Sequence, residues 1–431
     1  MLAVSSHNLD LNRRSQYPDL VIVAVVIGLL MTGLIMVYSA KLYVDQRYLG
    51  HQAVRIGVGL LMLALGMILP LEGLQRKLWL VSLVLILMIG VLVGVRLFGT
   101  SSGGAARSWH GIQPSEFAKL MLVLFLSVYY QRLEPLGESE RRFGTFVLLP
   151  FLLCLPVVVL IAAQPAVSMA LVCLALVLSL MYLAEVRVRD LLKLGLAIIV
   201  LGAIGLTTVQ IATHKIEFEE RFRHVGSRIS SYRGRVTRLF DIPAQLELTP
   251  VAVEPIDWQQ WQSWIAIGSG GATGKGTGNG MQKLHFLPMV HTDFIYGLIG
   301  EEWGFLGSLA VFGAFLVFAW RGLSLALRGK DTFSRLVTTG VTMMICYTAL
   351  VHLGVNLWLL PPTGQTLPLV SFGGSAMAAN LLGVGMLLRL SRQISRRPIE
   401  VDLASRFRNW WSTGRGASCA RWTTWGRWPR R

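Results

Sequence analysis

Long apolar runs recur along almost the whole chain, and about 20 such residues are what a helix needs to cross a hydrocarbon layer about 30 Å thick. Ten runs have that length: near 19–40, 52–70, 77–98, 115–131, 143–163, 165–184, 190–212, 292–320, 335–357 and 374–390. Only Gln164-Pro165 separates the fifth from the sixth. Their combined length asks for two helices, and nine spans is the fallback if the turn merely kinks one. A mean hydropathy of +0.57 and a charged fraction of 15% exclude an ordinary water-soluble globule. The expected fold is an all-α polytopic membrane protein of about ten transmembrane helices with one large extracytoplasmic loop.

The formal net charge is +17. In a soluble chain that excess would suggest nucleic acid. Here Arg76, Lys77, Arg132, Arg141, Arg142, Arg187, Arg189, Arg321, Arg328, Lys330 and Arg335 lie in short connections, and Arg389, Arg392, Arg396 and Arg397 open the tail. That distribution fits cytoplasmic loops against anionic lipid, with both termini inside, membrane lipids as partners and no nucleic acid. The first run follows Arg13 and Arg14 and exceeds a signal core in length, so it reads as a retained anchor. Residues 1–18 are then a cytoplasmic N-terminus, 19–397 the transmembrane domain, about 213–291 its external loop, and 398–431 an Arg- and Trp-rich cytoplasmic tail expected to be disordered. In the loop, 214–223 has the makings of an amphipathic interfacial helix, and Trp258, Trp261 and Trp264 suit the headgroup level. Cys154, Cys173 and Cys346 lie in apolar segments and Cys419 in the tail, which offers neither a disulfide framework nor a zinc site.

Polar residues beside or inside the spans carry what chemistry the chain has. Ser115, following Pro114, is the expected N-cap of the fourth span. Glu116 and Lys119 then fall three apart on one face of its first turn. With Arg107 nearby they form a candidate site for an anionic headgroup at the outer surface; a local ion pair is the plainer alternative. The glycine-rich stretch Gly268 to Gly280 can turn backbone N–H groups towards an anion, and Lys275 adds charge. It is a candidate cradle for phosphate or pyrophosphate, with a flexible connector as the alternative. Thr292 or Asp293 is expected to cap the eighth span. Glu301 and Glu302 lie inside that span, where they require a cavity, a cationic partner or a helix break at Gly300 and Gly304. Leu360 to Ser375 reads as a turn-rich external segment, either a re-entrant lid or a tight connector. Hydrolase and zinc-peptidase signatures are missing.

Taken in order, Gln113 to Lys119 (QPSEFAK), Ala266 to Gly271 (AIGSGG), His291 to Ile295 (HTDFI), Gly300 to Glu302 and Thr363 to Ser375 (TGQTLPLVSFGGS) resemble the SEDS family, the FtsW, RodA and SpoVE proteins. The resemblance implies glycosyl transfer from undecaprenyl-pyrophosphate-linked glycan, with lipid II as building block, in the bacterial cytoplasmic membrane. It implies a class B penicillin-binding protein, a transpeptidase, as partner; Gln282-Lys283-Leu284 leans towards FtsW. No cofactor is called for, and a divalent cation stays open with no ligand set legible. The family's catalytic Asp-Pro is matched here by Glu254-Pro255, so Glu254 is the first candidate base, Asp257 the second and Asp293 the next. Substrate contact falls to Arg107, Glu116, Lys119, Lys275, His291, Asp293 and Ser371. The chain departs from the family at Ala166, where Asp follows Gln-Pro, and at Met289, where Glu follows Leu-Pro. Two other functions compete with polymerisation: a flippase for the lipid-linked precursor, suggested by Glu301 and Glu302, and a catalytically silent scaffold, suggested by the departures.

Overall fold

In a computed structural model the described residues are 18–41, 47–98, 100–102, 105–108, 112–135, 141–164, 166–198, 255–284, 290–329 and 331–395. Helices dominate: α1 (Leu20–Lys41), α2 (Arg47–Ile68), α3 (Leu78–Phe98), α4 (Pro114–Leu133), α5 (Leu149–Ala163), α6 (Val167–Leu183), α7 (Pro255–Ser269), α8 (Ile295–Leu327), α9 (Thr332–Asn356) and α10 (Gly374–Ser395). Asp19–Leu390 form one compact unit. Among the described residues seven helices are long and apolar enough to cross a membrane, so the protein is an all-α multi-pass membrane protein. α6 is apolar but shorter, and α4 carries Glu116, Lys119 and Arg132. The fifth and sixth apolar runs are separate helices, as their length requires. Of the seventh run only the helical part to residue 198 is described. The proposed interfacial helix at 214–223 and the tail lie outside the described residues.

Exposure sorts the helices by place. α2 and α3 keep only 17% and 22% of their apolar windows buried, whereas α9 and α10 bury 72% and 78%. The first pair therefore presents Leu60, Leu61, Ile86 and Leu87 outward, as lipid requires, and the second forms the centre. α9 packs against α4, α6, α7 and α8, while α1 packs against α2 and α8. Asp19 caps α1 through the N–H groups of Val21 and Ile22 and pairs with Arg321 of α8 at 2.7 Å. Asp331 caps α9 by accepting from Ser334 N–H at 3.0 Å.

Several local expectations are corrected. Gln113, not Ser115, is the N-cap of α4, because Pro114 takes the first helical position, where its missing N–H costs nothing; Ser115 is buried one residue further on. Neither Thr292 nor Asp293 caps α8: Phe294 holds that position without a side-chain cap. The loop after α3 folds into an antiparallel hairpin, β1 (Thr100–Ser102) and β2 (Ala105–Ser108), with Arg107 at a register shift opposite Thr100 and Ser101. Part of the long segment expected as an external loop is helix: α7 carries Trp258, Trp261 and Trp264, and Trp261 meets Trp358 edge to face at 5.6 Å.

Candidate functional site

Three family-like segments meet at one end of the bundle. At the start of α4, Gln113 donates its backbone N–H to Ser375 Oγ at 2.9 Å. One turn on, Lys119 Nζ lies 2.8 Å from Glu116 Oε2, with side chains 1% and 7% exposed. Thr348 Oγ1 of α9 is 3.5 Å from Lys119 Nζ. Four residues along α9, on the same face, His352 Nδ1 meets Gln365 O at 2.8 Å, and Gln365 donates to Ser168 Oγ of α6 at 3.1 Å. The segment 364–373 is thereby tied to α6 and α9. It also clasps the turn before α8: Ser371 Oγ donates to Thr292 O at 2.7 Å and accepts from Leu367 N–H at 2.8 Å. Phe372 N–H donates to His291 O at 2.9 Å. The Phe372 ring stands 5.5 Å from that of buried His291, and the guanidinium of Arg55 from α2 lies over it at 3.5 Å. Asn356 Nδ2 donates to Asp293 O at 3.2 Å.

α7 is pinned to the same end. Gln260 Nε2 donates to Val355 O and Leu360 O at 2.7 and 2.6 Å, and Ser263 Oγ to Asn356 Oδ1 at 2.9 Å. This places the first turn of α7, which holds Asp257, beside the end of α9. The sequence reading had Asp257 in a loop; it belongs to a helix whose N-terminal dipole favours a carboxylate. Glu254 lies outside the described residues, as do the side chains of Asp257 and Arg107.

The glycine-rich stretch does cradle anions, and the anions are the protein's own. Glu301 and Glu302, both fully buried, sit where α8 breaks at Gly304 (φ 67°, ψ −163°). Glu301 takes Lys275 Nζ at 2.8 Å and the N–H groups of Met281 and Gln282 at 2.8 and 3.1 Å. Glu302 takes Lys283 Nζ at 2.7 Å, Ser39 Oγ of α1 at 2.6 Å, and the N–H groups of Gly278 and Gly280 at 3.1 and 3.3 Å. The loop also satisfies the backbone freed by the break: Lys275 and Gly276 donate to the carbonyls of Glu301 and Glu302, and Phe305 and Leu306 donate to those of Gly271 and Ala272. So close an approach demands glycine; a Cβ at Gly274 (φ 82°) would stand 2.1 Å from Glu302 O. Lys275, expected at a pyrophosphate site, is paired here with Glu301. Among the described residues no hydrogen bond or ion pair joins this cluster to the Glu116–Lys119 pair.

Sequence reasoning missed Lys283, Ser39, His352, Gln365 and Arg55. His352 and Arg55 carried a signal of their own, ionisable residues inside apolar runs.

The family model described as a cell cycle protein, covering FtsW, RodA and SpoVE, matches residues 19–396. The chain belongs to this family. A probable peptidoglycan glycosyltransferase FtsW of Trichlorobacter lovleyi is 30% identical over 90% of the chain and 96% of its own length. Stage V sporulation protein E of Bacillus subtilis is 32% identical over 87% and 97%. Among solved structures, a chain of a peptidoglycan synthase complex that coordinates polymerization and crosslinking superposes with a TM-score of 0.67 at 28% identity, covering 88% of this chain and 98% of that one. The rod shape determining protein RodA of Thermus thermophilus gives 0.59 at 26%, covering 87% and 97%. The contacts at Ser375 and Phe372 therefore join segments that carry the family resemblance.

Proposed function

We propose that this chain is a peptidoglycan glycosyltransferase that polymerises lipid II in the bacterial cytoplasmic membrane. The observation that carries the reading is the meeting of the α4, α8 and α10 entry segments, tied through Gln113 and Ser375 and through Ser371, Phe372 and the turn at His291 and Thr292, with the buried Glu116–Lys119 pair one turn further along α4. Relatives named as peptidoglycan glycosyltransferases, and similarity to a synthase complex, support it. In the transfer, a base takes the proton from the attacking sugar hydroxyl while the glycosidic bond to pyrophosphate breaks, and positive charge receives the leaving group. Glu254, immediately before α7, is the base, with Asp257 second. Arg107 on β2 supplies charge for the pyrophosphate. Lys119, held by Glu116, orients that end of α4 and shares its charge. His291 and Ser371 shape the adjoining turn, in which Asp293 stands as the next candidate base. Among the described residues no three His, Cys, Asp or Glu side chains group as metal ligands. The partner is a class B penicillin-binding protein, and both termini are cytoplasmic.

Export of the lipid-linked precursor finds less support, because Glu301 and Glu302 are saturated by lysines, a serine and backbone N–H groups. Purified protein given labelled lipid II tests the assignment. Wild type should build glycan strands, and Glu254→Gln should abolish polymerisation while leaving thermal stability unchanged. Polymerisation by Glu254→Gln at the wild-type rate would remove Glu254 as base, and the same result for Asp257→Asn would shift the base to Asp293.

A further inference from the structure

At the end of the bundle remote from Glu116, the last turn of α4, the approach to α5, the end of α6 and the start of α9 leave a cleft of about 100 Å³ lined by Tyr130, Glu134, Arg141, Phe146, Glu185 and Arg335. One water needs about 10–15 Å³ of such space, so the cleft admits a small polar group rather than a single solvent molecule. Its charges come in two signs. Arg141 Nη1 is 3.4 Å from Glu185 Oε2, whose side chain is 66% exposed, and its guanidinium lies 5.0 Å from the centre of the Phe146 ring. Among the described residues Glu134 accepts from the amide of Gln131 alone, at 2.8 Å. Among the described residues no acceptor is bonded to the Arg335 guanidinium. Glu185 has φ 66° in the position after α6 that ordinarily falls to glycine, with Val186 N–H closing back to Met181 O at 3.2 Å. A carboxylate is thus held at a backbone position that disfavours it. Phe143, Leu148, Leu149 and Leu152, on the adjoining helical segment, are exposed apolar residues of the kind that face acyl chains.

We propose that this cleft binds the headgroup of an aminophospholipid, its phosphate held by Arg335 and Arg141 and its primary ammonium by Glu185 and Glu134. A guanidinium grips a phosphate through two parallel N–H···O bonds, and an ammonium offers three donors to carboxylates. A purely anionic headgroup would leave both carboxylates facing a negative charge. A trimethylated amine would bring no N–H to them. The apolar residues on the adjoining segment select a lipid over its soluble headgroup.

Full-length protein, delipidated in detergent and titrated with phosphatidylethanolamine, phosphatidylcholine and phosphatidylglycerol of identical chains, should retain one phosphatidylethanolamine in native mass spectra about tenfold more tightly than either other lipid, the worth of one charge-assisted contact. Arg335→Ala should lower that affinity about tenfold, and Glu185→Gln should erase the preference for phosphatidylethanolamine over phosphatidylcholine. Equal retention of all three lipids, strongest retention of phosphatidylglycerol, or an unchanged preference in Glu185→Gln would overturn the proposal. Glu185 is mostly exposed, so that variant decides even where Arg335→Ala is not recovered.

Discussion

Two buried charge clusters among the described residues use the same chemistry to different degrees. The carboxylates at the α8 break are filled: between them Glu301 and Glu302 take two lysines, Ser39 and four backbone N–H groups. The pair in α4 is sparse. Among the described residues Glu116 has Lys119 as its one side-chain partner, and Lys119 adds only a long contact to Thr348. Burying charge is strongly unfavourable unless every lone pair and proton is met. The saturated cluster meets that condition within the fold and reads as structure, a clamp holding the glycine loop, the broken helix and α1 together. The sparse pair keeps donors and acceptors in hand at the end where the family-like segments meet, which is what a site awaiting a polar ligand needs.

The largest expected effect comes from breaking the clamp. Lys283→Ala leaves Glu302 buried without its cation, a loss of about 3–5 kcal/mol. The yield of folded protein and its melting temperature in detergent should fall steeply. Melting within a degree or two of wild type would mean that the clamp is not what holds α1 to the break.

Lys119→Ala breaks the same kind of pair, and the contrast predicts a different balance. Polymerisation should be lost, while melting should fall less than for Lys283→Ala because fewer groups are stranded. The double variant Glu116→Gln with Lys119→Met removes both charges at similar volume, so it should regain stability without regaining activity. Restored polymerisation in the double variant would reduce the α4 pair to scaffolding and erase the distinction.

What the sequence made legible follows the same division. Lipid imposes long apolar runs, so α1, α2, α3, α5, α8, α9 and α10 could be read from composition alone. The glycine stretch was legible only as a candidate anion cradle, because its glycines and Lys275 suit a flexible connector equally well. The identity of its anion was not, since Ser39 and Glu302 are 263 positions apart and nothing local links them. The Gln113 cap and the hairpin at 100–108 were missed for local reasons: Pro114 outranks Ser115 at the helix start, and three- and four-residue strands show no alternation. The helix α7 left a clue in Trp258, Trp261 and Trp264, spaced three apart as a helical face requires, which the search for membrane-length runs passes over.

A smaller effect should separate geometry from chemistry within the site itself. Ser371 joins two segments through one hydroxyl, so Ser371→Ala removes a hydrogen bond to Thr292 O and one from Leu367 N–H, about 1 kcal/mol each. If Ser371 only sets the turn before α8, the variant should lower the melting temperature slightly and raise KM for lipid II more than it lowers kcat. A fall in kcat with KM unchanged would make the hydroxyl a participant in the transition state.

The smallest effect belongs to the tail. The family match stops at residue 396, and beyond it the sequence offers Arg and Trp without an apolar run long enough to pack or to span. Such a segment gains its free energy at an anionic surface, at about 1 kcal/mol per basic residue near the membrane, and contributes nothing that either charge cluster depends on. Truncation after Pro398 should therefore leave membrane insertion, melting temperature and polymerisation rate at wild-type values, and should weaken binding of the detergent-solubilised protein to phosphatidylglycerol vesicles. Loss of folded protein on truncation would mean that the tail closes contacts on the transmembrane unit, and both charge clusters would then have to be compared again in its presence.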